Sequence, residues 1–245
     1  MKNFAHRGFS GNYPENTMIA FEQACKIPGC DGIELDVHLT KDGEMVIIHD
    51  EWLDRTCTNG KGFVKDMAFA DFKDLDFSYT FAGKVEKQHI PTLAEYFDLV
   101  KQYDIVTNIE LKTSVIEYPG IEERVFGLIK EYGLDEKIII SSFNHHSVMR
   151  FKKLAPHIKC GLLTESWLLD AADYMAKSGV ECYHPIFTNI LGGKVKEFHD
   201  RGIEVNVWTV NEPDYVRMML QEGVDIVIGN YPDKTAEVLK SSNNL

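Results

Sequence analysis

Apolar positions along the chain follow two rhythms. Short runs rich in Val, Ile and Leu fall at residues 3–6, 32–37, 105–111, 137–142, 159–163, 181–184, 204–208 and 225–228. They are bounded by Gly, Pro, Asn and Asp, which predicts strands. Between them, apolar residues recur at helical spacing around 17–26, 93–102, 121–132, 146–154, 168–177, 193–201, 213–222 and 234–240. Eight strands alternating with eight helices predict an α/β chain folded as a (β/α)8 TIM barrel in one catalytic domain over residues 1–245. The alternative is a doubly wound open sheet, whose dinucleotide-binding version is weakened because no Gly-x-Gly-x-x-Gly follows a strand.

One connection departs from the rhythm. The second strand runs on through Val37-His38-Leu39-Thr40, and Lys41-Asp42-Gly43 leads into Glu44-Met45-Val46-Ile47-Ile48-His49. Asp-Gly between alternating segments predicts a β-hairpin, so the returning strand is antiparallel and lies outside the eight. Residues of about 50–90 mix aromatic and charged side chains without a βα unit, which predicts an insertion over the C-terminal mouth. Ile90-Pro91-Thr92 then starts the next helix.

Composition narrows the partners. Among 245 residues, 38 acids against 26 bases give a formal charge of −12. This balance disfavours nucleic acid and anionic membrane surfaces, both of which reward clustered Lys and Arg. No apolar run approaches the roughly 18 residues of a membrane span, and the N-terminus enters a strand without a signal-peptide pattern. A cytoplasmic location without stable membrane insertion is therefore expected. Cys25, Cys30, Cys57, Cys160 and Cys182 are odd in number and lack a Cys-x-x-Cys, so they are read as reduced thiols.

The chemistry is expected at the C-terminal ends of the strands, where a barrel's loops vary while its core stays packed. A period of two places Glu34, Asp36 and His38 on one face of the second strand, with Ile33, Leu35 and Val37 facing the helices. Asn108, Glu110 and Lys112 alternate with Ile109 and Leu111 in the same way. Converging carboxylates repel unless protonated, paired or bridged by a cation, and an all-oxygen set favours Mg²⁺, Ca²⁺ or Mn²⁺. A two-residue turn at Asp42-Gly43 sets His49 opposite Asp36, and a four-residue turn sets it opposite Glu34; a three-residue loop turns it away from the acids.

The first strand ends Ala5-His6-Arg7-Gly8, followed by Pro14-Glu15-Asn16-Thr17, in which Asn16 or Thr17 caps the first helix. Two histidines for proton transfer, a cation, and Arg7 with Lys112 on phosphate oxygens make up what a phosphodiester needs. Glu15 is expected to hold the loop and first helix. His145, His146, His157, His184 and His199 are read as structural or surface residues.

At these residues the sequence resembles the glycerophosphodiester phosphodiesterases. The match runs through His6-Arg7-Gly8, Pro14-Glu15-Asn16-Thr17, Glu34-Leu35-Asp36-Val37, Thr40-Lys41-Asp42-Gly43, Val46, His49-Asp50, Ile90-Pro91-Thr92-Leu93, Glu110-Leu111-Lys112, Ser142-Phe143 and Val207-Trp208-Thr209-Val210-Asn211. The resemblance implies a (β/α)8 barrel and one divalent cation held by Glu34, Asp36 and Glu110. It assigns His6 and His49 as the acid/base pair and Arg7 and Lys112 as phosphate contacts. The implied reaction is hydrolysis of a small glycerophosphodiester, with headgroup choice, acid and base roles, and water or the substrate 2-hydroxyl as nucleophile left open. Phe143 and Trp208 are expected as apolar walls for the substrate. Members often carry Thr-Asp before x-Pro at the last strand; here Gly229-Asn230-Tyr231-Pro232 stands there. A related phospholipase and a silent phosphodiester-binding barrel are the rival readings.

Overall fold

The structure is a computed structural model that describes residues 1–242. Nine strands form Lys2–His6 (β1), Gly32–Leu39 (β2), Met45–Ile47 (β3), Val106–Leu111 (β4), Ile138–Ser142 (β5), Lys159–Thr164 (β6), Cys182–Pro185 (β7), Glu204–Val207 (β8) and Ile226–Gly229 (β9). Eight helices accompany them: Met18–Cys25 (α1), Leu93–Val100 (α2), Ile121–Tyr132 (α3), His145–Leu154 (α4), Ala171–Ser178 (α5), Val195–His199 (α6), Pro213–Glu222 (α7) and Pro232–Ser242 (α8). The strands pair in the order β1-β9-β8-β7-β6-β5-β4-β2, and β1 also pairs with β2 in parallel, which closes the barrel. No helix is long and apolar enough to cross a membrane among the described residues.

The period of two along each strand divides the core into layers. Ile33, Leu35 and Val37 of β2 join Phe21 of α1 and Leu93, Tyr96 and Phe97 of α2 in the large cluster between sheet and helices. Each such fully buried side chain contributes roughly 1.5–3 kcal/mol. Inside the barrel, Phe4, Ile139, Cys182, Ile226 and Ile228 make a separate apolar floor. Gly32 has no alternative here, since a Cβ would lie 2.4 Å from the Phe4 ring. Two residues further up each strand, the inward positions turn polar: His6 follows Phe4, Glu34 and Asp36 follow Gly32, and Asn108 and Glu110 follow Val106. The floor thus lifts the polar groups to the C-terminal mouth.

The hairpin closes in a register that overturns the expected one. Val37 pairs with Ile47, His38 with Val46 and Leu39 with Met45, so the loop holds the three residues Lys41, Asp42 and Gly43. Gly43 takes φ +85°, where glycine is favoured, and the Thr40 hydroxyl accepts from the Glu44 amide at 2.9 Å. Continued pairing would turn His49 away from the acids. The ladder instead ends at Ile47 and the chain bends.

Residues 48–92 pack around a small core of their own, formed by Val46, Ile48, Leu53, Cys57, Val64, Phe72, Phe77 and Ile90. Three short 3-10 turns, Val64–Asp66, Phe69–Phe72 and Tyr79–Phe81, are its only regular helical pieces among the described residues. Thr92 then caps α2 with a capping box to Glu95.

Candidate active site

The neighbouring strands β2, with Glu34 and Asp36, and β4, with Glu110, bring one carboxylate oxygen of each acid within 4.8 Å of one another. All three side chains are buried, Asp36 completely. A buried carboxylate is costly unless something compensates its charge. Asp36 is the best compensated: Asn16 Nδ2 donates to its Oδ2 at 2.8 Å, Arg7 Nε lies 3.6 Å away and Lys112 Nζ 3.7 Å from Oδ1. Burial pushes its carboxyl up, but the charges of His49, Lys112 and Arg7 hold it below the usual range. Glu34 accepts from the Arg7 amide at 2.9 Å. Its pKa is raised well above the ordinary value, by burial first and then by Asp36 and Glu110. Glu110 is also raised by burial, with Lys112 at 2.8 Å opposing the shift.

These residues fit a hard divalent cation. The donor set is oxygen only, and Asp36 Oδ1 is buried without a hydrogen-bond partner. Arg7 and Lys112, expected on phosphate oxygens, lean on these carboxylates.

Each expected acid/base histidine has one ring nitrogen occupied. His6 Nδ1 donates to Asn230 Oδ1 at 2.7 Å, while Nε2 lies 3.9 Å from Glu34 Oε2. Burial and the neighbouring Arg7 lower the His6 pKa to about 3. His49 Nδ1 donates to Asp50 Oδ1 at 2.6 Å. Because an amide or carboxylate oxygen only accepts, each ring carries a proton at Nδ1, and Nε2 is the nitrogen left for proton transfer. His49 reaches the cavity through the bend after β3, and His38 pins that bend: its Nε2 donates to the His49 carbonyl at 3.2 Å while Nδ1 accepts from Tyr118. His38 shares the acid face of β2, as its spacing predicts, and serves as a strut.

A cavity of about 230 Å³ joins these groups. His6, Arg7, Glu34, His49, Asn108, Glu110 and Glu165 form its polar side, and Phe143, Leu163, Trp208 and Ile228 its apolar side. Phe143 and Trp208 meet edge to face at 5.5 Å, and the Trp208 indole donates to the His184 carbonyl at 2.9 Å. A larger hollow of about 550 Å³ opens at the opposite end, beneath Phe4 and Ile226. Among its charged groups Lys159 pairs with Glu204 and His157 with Asp135, and none of the converging acids reaches it.

The sequence profile described as "Glycerophosphoryl diester phosphodiesterase family" matches residues 6–234. The chain belongs to this family. It is 44% identical over 236 residues to a glycerophosphodiester phosphodiesterase of Caldanaerobacter subterraneus subsp. tengcongensis, covering 96% of each chain. It is equally identical over 243 residues to one of Bacillus altitudinis, covering 97% of each. Among solved structures, an Oleispira antarctica phosphodiesterase in complex with the product sn-glycerol-3-phosphate is 27% identical, with a TM-score of 0.84 over 98% of this chain and 97% of that one. Family membership makes this chain an enzyme of the phosphodiesterase type.

Three residues around the cavity's polar groups escape a reading by spacing. Asn16 does not cap α1: its side chain turns to Asp36, and Thr17, at the N-cap position, donates its hydroxyl to the Pro14 carbonyl. Asn230, noted only as a departure in the last strand, holds His6. Arg55, inside the insertion, grips Asp50 and Glu15. No periodicity marks any of them.

Proposed function

We propose that the chain hydrolyses glycerophosphodiesters, such as glycerophosphocholine or glycerophosphoethanolamine, to glycerol 3-phosphate and an alcohol, with a divalent cation held by Glu34, Asp36 and Glu110. The observation that carries this reading is that His6, His49, Arg7, Glu34 and Glu110 line one cavity, with Asp36 and Lys112 in contact with that set. The product bound in the Oleispira antarctica relative supports it. Three carboxylates and a phosphodiester carry four negative charges, which a divalent cation, Arg7 and Lys112 balance inside a chain of net charge −12.

When bound, the cation supplies Lewis-acid charge against the phosphate oxygens. Arg7 and Lys112 orient the phosphate through charge-assisted hydrogen bonds. His6 is neutral, with Nε2 open to the cavity, and removes the nucleophile's proton as the new P–O bond forms. His49, held through Nδ1–H by Asp50, protonates the departing alkoxide from Nε2–H as the bond to the alcohol breaks. Phe143 and Trp208 wall the organic part of the substrate.

The reading is tested by turnover of both substrates before and after chelation. Metal-dependent release of choline or ethanolamine with glycerol 3-phosphate is expected, and refilling with Mg²⁺, Ca²⁺ or Mn²⁺ identifies the ion. Failure to release any headgroup under all three metals would sink it. A separate expectation concerns the wall. Trp208→Ala should raise KM about tenfold with a smaller change in kcat, as expected for lost apolar contact in the ground state; a selective fall in kcat contradicts the role.

A further inference from the structure

Arg55 of the insertion reaches toward the reaction centre through two carboxylates. Arg55 donates Nε to Asp50 Oδ2 at 2.8 Å and Nη2 to Asp50 Oδ1 at 3.0 Å. It also donates Nη1 to Glu15 Oε2 at 2.8 Å and Nη2 to Glu15 Oε1 at 2.7 Å. Asp50 Oδ1 is the atom that accepts from His49 Nδ1, and Glu15 Oε1 is the atom that accepts from Arg7 Nη1 at 2.8 Å. His49, Asp50, Arg55, Glu15 and Arg7 therefore form one continuous run. Tyr79, also in the insertion, adds its hydroxyl to Glu15.

We propose that Arg55 is a positioning residue that sets His49 and Arg7 together, through Asp50 and Glu15, although it does not touch the cavity. The proposal rests on the phosphodiesterase reading of the site, which gives those two residues their work. An ordinary exposed ion pair carries little weight. Arg55 differs because a single planar guanidinium forks onto two carboxylates whose side chains are 17% and 11% exposed. Each carboxylate has a second duty. Asp50 fixes the His49 tautomer and ring direction, and Glu15 holds the Arg7 guanidinium beside Asp36. With Arg55 gone, both carboxylates lose the contact that locks their rotamers, and the proton-transfer group and the phosphate-binding group loosen at once. A lysine cannot replace it, having one nitrogen for two bidentate partners.

The test compares Arg55→Ala, Arg55→Lys, Asp50→Asn and Glu15→Gln with the wild type, reading kcat on glycerophosphocholine, calorimetric affinity for glycerol 3-phosphate, and the downfield proton resonance of His49 Nδ1–H. Arg55→Ala should lower kcat about 10- to 100-fold, weaken the product about tenfold, and broaden or shift that resonance. Guanidinium ion in the buffer should restore much of the loss, and methylammonium should not. Arg55→Lys should recover little. In the Asp50→Asn background, Arg55→Ala should weaken product binding with little further loss of kcat; in the Glu15→Gln background it should lower kcat with little further loss of product binding. The proposal is overturned if Arg55→Ala keeps both quantities within twofold, changes only one of them, or is fully rescued by lysine or methylammonium. A wild type that turns over no glycerophosphodiester strikes the reading of the site instead, while the resonance still reports whether Arg55 orders His49.

Discussion

His49→Ala is expected to lower kcat on glycerophosphocholine by about 10²- to 10⁴-fold while the barrel remains folded. The side chain is 32% exposed and lies beyond the end of β3, so its removal opens no core cavity and should leave the melting temperature within a few degrees. In the proposed mechanism it removes the proton donor for the leaving alkoxide. Choline is a poor leaving group and needs that proton, whereas 4-nitrophenolate departs without it. On a 4-nitrophenyl glycerophosphodiester the loss should therefore shrink to about tenfold or less.

His6→Ala provides the contrast. If His6 removes the nucleophile's proton, its loss costs the same large factor on both substrates, because the nucleophile is unchanged. Steady-state kinetics of the two variants on the two substrates decide the assignment. A His49→Ala enzyme at a third or more of wild-type rate contradicts its participation. An equally large loss on the activated ester would exchange the roles of the two histidines.

How much of this was legible in the sequence follows from the kind of interaction involved. A strand's period of two operates within a few residues, so the inward set Glu34, Asp36, Asn108 and Glu110 could be read directly, and the barrel brings them together because β2 and β4 are neighbours in register, Asp36 beside Glu110. His49 lines the cavity by a route that hairpin register does not predict. Hairpin register depends on whether Gly43 enters the left-handed region, which three residues of sequence do not decide, and here a bend held by His38 compensates for the unfavourable register. Asn16, Arg55 and Asn230 act across 20, 40 and 224 residues respectively on Asp36, Glu15 and His6. Only the closed barrel makes such pairs neighbours, and a polar side chain on a loop carries no mark of the partner it will meet.

Glu34→Gln is expected to make the chelated protein more stable while abolishing metal-dependent turnover. Of the three acids, Asp36 is compensated by Arg7, Lys112 and Asn16, and Glu110 by Lys112. Glu34 has the Arg7 amide and little else that is positive close by, and its pKa is raised by burial and by the other two carboxylates. An amide of the same shape keeps the hydrogen bond, since Oε1 accepts from the Arg7 N–H, and removes the repulsion. Relief of a buried like-charge contact is worth roughly 1–3 kcal/mol, and each kcal/mol moves the midpoint by about 2–4 °C in a chain of this size. Cation binding should reverse the order. The wild type gains about 2.7 kcal/mol at a hundredfold excess over Kd, and Glu34→Gln, with a neutral ligand in place of a charged one, gains far less. Thermal melts of both proteins with chelator and with Mg²⁺ or Ca²⁺ measure the crossing. Should chelated Glu34→Gln melt below chelated wild type, the carboxylates are held apart by their hydrogen bonds rather than by a missing charge; should both proteins gain equally from the cation, Glu34 is no ligand. The crossing itself is what a site selected for binding rather than stability must show, because the repulsion that destabilises the metal-free barrel is the same charge that would hold an ion.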